Sequence, residues 1–287
     1  MTLNLGKIMK LRLQYLLSIV LVVVSNITCA EYDIKTDVIY GHKDGTALVY
    51  HVVVPENANG AAVVEIVSSG WRSRWATPES RTEYFAFLLD AGYTMFHIFH
   101  RSAPRYLVPE NYADVSLAIR HINLHAEIYG VDAEKIGVFG RSAGGHLSMM
   151  IGLDSDPGDP VAEDDILRHN NRVSAVVSYN AAVDLTEVAA YVDRYPALGF
   201  PTEQAPSVSP IYHVDSEDPP ILLVHGDRDR EVPISQSEIM LAALQENSVD
   251  SELLTLPGAP HTPYRGEYLV QASNATLNWF NTHLLGM

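Results

Sequence analysis

Residues 135–146 read Lys-Ile-Gly-Val-Phe-Gly-Arg-Ser-Ala-Gly-Gly-His. A short apolar run, Ile136 to Phe139, predicts a strand, and Ala143 to Leu153 predicts a helix. Between them lies Gly140-x-Ser142-x-Gly144, small residues two positions to either side of a serine. A strand-to-helix turn of this spacing is so tight that bulky neighbours do not fit. It lifts the serine hydroxyl clear of the sheet. The free N–H groups at the start of the helix then face whatever the hydroxyl attacks, and their positive end favours an oxyanion. The Ala143 N–H is the first candidate donor. Neither the Gly-x-Gly-x-x-Gly spacing nor a Gly-Lys-Ser/Thr ending accompanies the turn, so the phosphate-cradle patterns are not met.

The segments around this turn alternate in type. A hairpin is expected over Asp37 to Val54, around Lys43-Asp44-Gly45-Thr46, and a buried strand over Ala61 to Val67. Helical spacing covers Pro78 to Ala91, Asn111 to Tyr129, Ile234 to Asn247 and Gln271 to Leu284. Further strands are expected at Tyr93 to Phe99, Val173 to Tyr179, Ile221 to His225 and Glu252 to Leu256. Alternating strands and helices imply an α/β fold: a mostly parallel, eight-stranded sheet flanked by helices. Sites in such sheets form beyond the carboxyl ends of the strands. Two stretches break the rhythm, a polar, acidic one at 154–172 and one at 185–214 rich in Pro, Tyr and Ala. They read either as a small cap over that edge or as surface loops.

A serine hydroxyl needs a base, and the base needs an orienting carboxylate. After the strand Pro219 to Gly226 comes Asp227-Arg228-Asp229-Arg230-Glu231-Val232-Pro233, and after Glu252 to Gly258 comes Ala259-Pro260-His261-Thr262. Both sets lie just past strand ends, on the edge that carries Ser142. The order Ser, Asp, His is the one this architecture uses.

Over residues 35–285 the chain resembles the α/β-hydrolases of the esterase and lipase type, including hormone-sensitive-lipase-like and feruloyl- or acetylxylan-esterase-like members. It is also similar to the catalytic domains of prolyl oligopeptidases. The resemblance rests on Gly-Arg-Ser-Ala-Gly-Gly-His at 140–146, His-Gly-Asp-Arg-Asp-Arg-Glu-Val-Pro at 225–233 and Gly-Ala-Pro-His at 258–261. It implies Ser142 as nucleophile, His261 as base and Asp229, rather than Asp227, as the orienting acid. Where the families carry His-Gly-Gly-Gly, this chain has Val67-Ser68-Ser69-Gly70, followed by Trp71. Main-chain N–H groups do the work there, so Ser69 and Gly70 join Ala143 as candidate oxyanion donors. Trp71, Arg72 and Trp75 are candidates to border the substrate site, as are Tyr179 and Asn180 at the strand end, and Tyr191, Tyr195 and Phe200 as its roof. No metal or organic cofactor is expected.

The resemblance implies a serine hydrolase for a small-molecule ester, with a short acyl chain or a carbohydrate-linked one. Two alternatives stand beside it: a peptidase of prolyl-oligopeptidase type, without the N-terminal propeller, and a non-catalytic binding protein on the same scaffold.

The remaining features are bounding ones. Lys7, Lys10 and Arg12 precede an apolar run, Leu16 to Val24, and then Thr28-Cys29-Ala30. A basic front, a short apolar middle and small residues at a cut site describe a signal peptide over 1–30, leaving a catalytic domain over 31–287 that is secreted or periplasmic. The alternatives are an uncleaved anchor and a lipoprotein through Cys29, whose flanks Asn26 and Thr28 suit that cleavage poorly. Cys29 is the only cysteine, so neither a disulfide nor a thiol nucleophile is expected beyond the leader. Removing the leader leaves 16 basic against 35 acidic residues, a formal charge of −19. Such a surface repels nucleic acid and polyanions and suggests a neutral or cationic substrate. His121 and His125, four apart on a helix, lack the partners of a metal site and are expected on a solvated face. His146 is expected to pack or hydrogen-bond behind the serine, and Arg101 to Glu110 to be structural. Asn274-Ala275-Thr276 is a glycosylation sequon, meaningful in a eukaryotic secretory pathway.

Overall fold

The computed structural model of the protein describes residues 32–186, 191–262 and 265–287. The expected leader over 1–30, with Cys29, lies outside the described residues. Eight strands form one sheet: β1 (Tyr32–Lys43), β2 (Thr46–Pro55), β3 (Ala62–Ile66), β4 (Thr94–Ile98), β5 (Ile136–Arg141), β6 (Ala175–Tyr179), β7 (Ile221–Gly226) and β8 (Ser251–Leu256). Their order is β1-β2-β4-β3-β5-β6-β7-β8. β2 runs antiparallel to both β1 and β4, and every other pair is parallel. This is the mostly parallel α/β sheet expected from the alternation of segments.

The sequence of the central strands explains their place. β3, β4, β6 and β7 are buried at every residue, which suits continuous apolar runs covered on both faces. Successive side chains point to opposite faces. Val64, Val138, Val176 and Leu223 enter one core, beneath α2 (Val108–His125), α3 (Ala143–Leu153) and α5 (Ser235–Glu246). Val63, Phe139, Val177 and Leu222 enter the other, beneath α1 (Pro78–Leu89) and α6 (Gly266–Leu285). Each set offers roughly 1.5–3 kcal/mol per fully buried large side chain. α1 begins where Thr77 accepts the Ser80 N–H at 3.4 Å and Pro78 takes the first turn, where its missing N–H costs nothing. Boundaries differ from the sequence expectation at several elements: β1 already begins at Tyr32 rather than Asp37, and β6 begins at Ala175 rather than Val173. α2 starts earlier, at Val108, and the stretch 126–129 is a 3₁₀ turn closed by Gly130 at φ 68°. α6 starts at Gly266 rather than Gln271, and β5 continues two residues further, into the serine turn.

Two polar features of the core stand out, and one departs from the expectation. His121 is buried rather than solvated, with Nδ1 3.0 Å from the Tyr50 hydroxyl, because this face of α2 turns inward against β2. Glu65, in the middle of β3, is buried too. Its carboxylate accepts the His97 Nδ1–H at 2.8 Å and the Arg81 Nε–H at 3.0 Å. The buried histidines make stability depend on pH. Burial holds the pKa of His97 down to about 3, and those of His100 and His146 to about 4. In the unfolded chain each takes up a proton near pH 6.5, so their contribution is complete above that value. It is lost as pH falls from about 6.5 towards 4, at up to about 1.4 kcal/mol per pH unit for each. Asp218, which burial pushes up to about 7, and His213, which the hydrogen bond to Asp154 pushes up, act in the opposite sense but are fewer. The thermal midpoint is therefore expected to fall steadily between pH 6.5 and 4.5. Calorimetry at several pH values checks this, and a flat profile would mean that these imidazoles are hydrated.

The two insertions part ways. Residues 154–172, which hold the short helix α4 (Asp165–Arg168), are tied to α2: Arg120 pairs with the Asp156 carboxylate and the His169 carbonyl, and Asn171 Nδ2–H donates to Ser116 Oγ at 3.0 Å. None of these residues lines either of the two cavities at Ser142. The second insertion, over its described residues, is a series of 3₁₀ turns at 196–198, 202–204, 206–208 and 210–212. It brings Tyr191, Tyr195 and Leu198 over the serine.

Candidate active site

Ser142 joins β5 to α3 in a strained conformation, φ 53° and ψ −120°. The strain is held from both sides: the Ser142 N–H donates to Tyr179 O at 2.7 Å, and the His146 N–H to Ser142 O at 2.9 Å. Two flanking glycines are required for space. A Cβ on Gly140 would lie 2.1 Å from Gly144 O, and one on Gly144 would lie 2.6 Å from Ile66 O. Thus the spacing of small residues in the sequence reflects the closeness of strand and helix.

The structure brings Ser142, His261 and Asp229 together. Ser142 Oγ lies 3.0 Å from His261 Nε2, and His261 Nδ1 lies 2.6 Å from Asp229 Oδ2. Asp229 follows β7, and His261 follows β8, each in the turn at the carboxyl end. Asp229 Oδ1 accepts the Glu231 and Val232 N–H groups at 2.8 and 2.9 Å, and Oδ2 also accepts from Asn180 Nδ2 at 3.0 Å. Burial alone pushes this carboxyl up. The hydrogen bonds from His225, His261 and the two amides outweigh burial, so the group is held well below the usual carboxylate range. A buried, ionised carboxylate that accepts from Nδ1–H leaves Nε2 with its lone pair towards the hydroxyl. The neighbouring Asp227 has a separate job: its Oδ1 accepts the Gly258 N–H at 2.6 Å and ties the β7 turn to the loop that carries His261.

The stretch after β3 corrects one expectation. Ser69 and Arg72 exchange both main-chain hydrogen bonds, Ser69 N–H to Arg72 O at 3.0 Å and Arg72 N–H to Ser69 O at 3.1 Å. Gly70 and Trp71, both at φ 56°, form the tight turn between them. The Ser69 N–H is thereby consumed and is no oxyanion donor. Among the described residues no acceptor takes the N–H of Gly70 or of Ala143, and both residues line the same cavity beside Ser142. Behind this turn the Trp71 Nε1–H donates to His146 Nδ1 at 3.2 Å, and the His146 Nε2–H donates to Val208 O at 2.7 Å. The two bonds fix the neutral tautomer of His146 and join the Gly70 turn, α3 and the second insertion.

Two cavities meet at Ser142. The larger, about 650 Å³, contains His261, Trp75 and four arginines: Arg72, Arg74, Arg81 and Arg141. The smaller, about 260 Å³, is bounded by Gly70, Trp71, Ala143, Tyr191 and Leu198. Gly70, Ser142, Tyr195 and Glu231 belong to both walls. Trp75 lies on the wall of the larger cavity and Trp71 on that of the smaller. Tyr179, Asn180 and Phe200 line neither cavity. The Tyr179 hydroxyl lies 2.7 Å from Thr276 Oγ1 and turns into the core, Asn180 serves Asp229, and Phe200 packs inside the insertion. Nothing in the sequence around Asn180 or Asp227 marks their roles, because each depends on a loop distant in the chain. Among the described residues no group of three or more His, Cys, Asp or Glu is placed to hold a metal ion, and no helix is long and apolar enough to cross a membrane.

A family model described as BD-FAE matches residues 51–244. A curated relative, a probable carboxylic ester hydrolase, LipM, from Mycobacterium tuberculosis, is 28% identical over 188 residues, 61% of this chain and 43% of its own. The chain thus spans less than half the length of that relative. Among solved structures, a truncated form of a carbohydrate esterase from gut microbiota is 26% identical with a TM-score of 0.73, covering 87% of this chain and 96% of its own. Thermogutta terrifontis esterase 2, phosphoramylated by tabun, is 25% identical with a TM-score of 0.71, covering 88% and 94%.

Proposed function

This chain belongs to the BD-FAE family of α/β-hydrolases, and from that premise we propose that it hydrolyses carboxylic esters through a Ser142 acyl-enzyme. The observation that carries the reading is the relay from hydroxyl to imidazole to carboxylate, at 3.0 and 2.6 Å. His261 takes the Ser142 proton as Oγ attacks the acyl carbon, and the carbonyl oxygen gathers negative charge. The N–H groups of Gly70 and Ala143 receive that oxygen, at the positive end of α3. Asp229 holds the imidazole in register and stabilises its charged form. His261 then gives its proton to the leaving alcohol, and water repeats the cycle on the acyl-enzyme.

The two cavities divide the ester. The leaving oxygen has to come within hydrogen-bond reach of His261, so the alcohol part occupies the larger chamber, of which His261 is a wall. The acyl group then enters the smaller one. At about 260 Å³ it falls below the usual range for drug-sized ligands, which favours a short acyl chain. A carbohydrate-linked alcohol suits the larger chamber, and the structural neighbour named as a carbohydrate esterase supports that substrate class.

The test pairs a fluorophosphonate probe with two assays. Ser142 is expected to be labelled, 4-nitrophenyl acetate to be turned over, and 4-nitrophenyl octanoate to be turned over at least tenfold more slowly. Aminoacyl anilides are expected to be inert. Cleavage of anilides with inert acetate would make the protein a peptidase, and an unlabelled protein would make it a binding scaffold.

A further inference from the structure

The charge of the larger chamber runs against that of the chain. The whole sequence carries 19 basic and 35 acidic residues. The chamber wall carries four arginines, Arg72, Arg74, Arg81 and Arg141, against two carboxylates, Glu65 and Glu231. Both carboxylates are already engaged. Glu65 is shared by Arg81 and His97, and Glu231 accepts from Arg194 and from the Tyr195 hydroxyl, each at 3.1 Å. Arg72 and Arg74 are exposed on the chamber wall, on the loop that follows the Gly70 turn, and form no ion pair among the described residues. Arg141, next to the nucleophile in the chain, lies with its guanidinium 5.3 Å from the Phe139 ring centre and 5.7 Å from that of Phe85, within cation–π range of both rings. Arg81 is itself paired with Glu65, and burial, with the nearby Arg141, holds its pKa down to about 10.

A guanidinium presents a rigid fork of donors that matches carboxylate and phosphate oxygens. Several of them around one chamber form a receptor for such a group, and low-dielectric walls focus the field inward. We propose that the larger chamber selects esters whose alcohol part carries an anionic oxygen group, a carboxylate or a phosphate. The inference deepens the esterase reading and rests on it, since it places the alcohol part on the His261 side. It also reverses the expectation, drawn from net charge, of a neutral or cationic substrate: the acidic surface keeps the protein apart from polyanions, while the chamber admits a compact anion.

Benzyl acetates substituted at ring position 3 separate charge from chemistry, because the acyl group and the scissile bond stay the same. Three are compared by chromatography of the released alcohol: the carboxylate, the phosphonate and the neutral carboxamide. The expected result is a kcat/KM at least tenfold higher for one or both anions than for the carboxamide. A larger gain for the carboxylate points to a sugar acid or hydroxy acid as natural alcohol, and a larger gain for the phosphonate to a phosphorylated one. The ratio of anion to carboxamide is expected to fall at least fivefold in the double variant Arg72→Gln, Arg74→Gln, whose positions are exposed and whose fold is checked by its thermal midpoint. A carboxamide hydrolysed as well as both anions, or a ratio unmoved in the double variant, overturns the proposal while nitrophenyl acetate turnover leaves the esterase reading standing. If no ester is cleaved and the fluorophosphonate leaves Ser142 unlabelled, the esterase reading fails and takes the proposal with it.

Discussion

Replacing Ser142 with alanine will lower kcat for 4-nitrophenyl acetate by roughly 10⁶-fold, the size of loss seen when a nucleophile acting as one unit with its base is removed. The reason is geometric. Oγ sits 3.0 Å from the His261 imidazole where the two cavities meet, and the other hydroxyl common to both walls, that of Tyr195, donates to Glu231 instead. Some rate will survive, roughly 10³-fold over water, because the Gly70 and Ala143 amides and the binding cavities remain. Folding should be unaffected: the turn is held by main-chain bonds to Tyr179 O and from the His146 N–H, which alanine retains. The measurement is steady-state turnover of purified protein, with circular dichroism as the control for fold. A variant that keeps more than one hundredth of the wild-type rate would remove Ser142 from the chemistry.

Asp229→Asn is the second large effect, roughly 10⁴-fold in kcat. Asparagine fills the same space, so packing is preserved, and its carbonyl oxygen still accepts one set of donors. Oδ1 now receives the Glu231 and Val232 amides and Oδ2 receives His261 and Asn180. With the carbonyl oxygen kept on the two main-chain amides, the new NH₂ group faces His261 Nδ1. A donor there demands a lone pair on Nδ1 and moves the ring proton to Nε2, where it blocks acceptance from Ser142. KM should change only a few-fold, because the carboxylate does not line either cavity. Asp227→Asn is the informative comparison: it weakens the tie to the Gly258 amide and should cost far less. Equal losses at the two positions would contradict the assignment of the relay to Asp229.

The sequence made the elbow, the order of the three relay residues and the sheet legible, since each answers to a local demand. Closeness of strand and helix requires bare Cα atoms at Gly140 and Gly144, and a strand buried on both faces requires a run such as Ala175 to Tyr179. What stayed hidden depends on distant partners. Ser69 looks like a donor until its amide is found to close a turn with Arg72. That turn holds Trp71 at φ 56°, a conformation no propensity assigns to tryptophan. Asn180 ends a strand and was expected to face substrate, yet its side chain turns to a carboxylate 49 positions later. The acidic stretch at 154–172 reads equally as cap or surface loop, and only the structure shows that Arg120 and Asn123 of α2 hold it. Net charge misleads in the same manner: it sums the surface and is blind to four arginines gathered in one recess.

The imidazole of His146 carries one last implication. It receives the Trp71 indole N–H on one side and reaches Val208 on the other, so two segments separated by well over a hundred residues share a single splice. Neither can drift without tugging at its counterpart. A shape accepted under the roof is therefore felt at the floor, and the fit of an acyl chain and the cradle for its carbonyl oxygen become one mechanical fact.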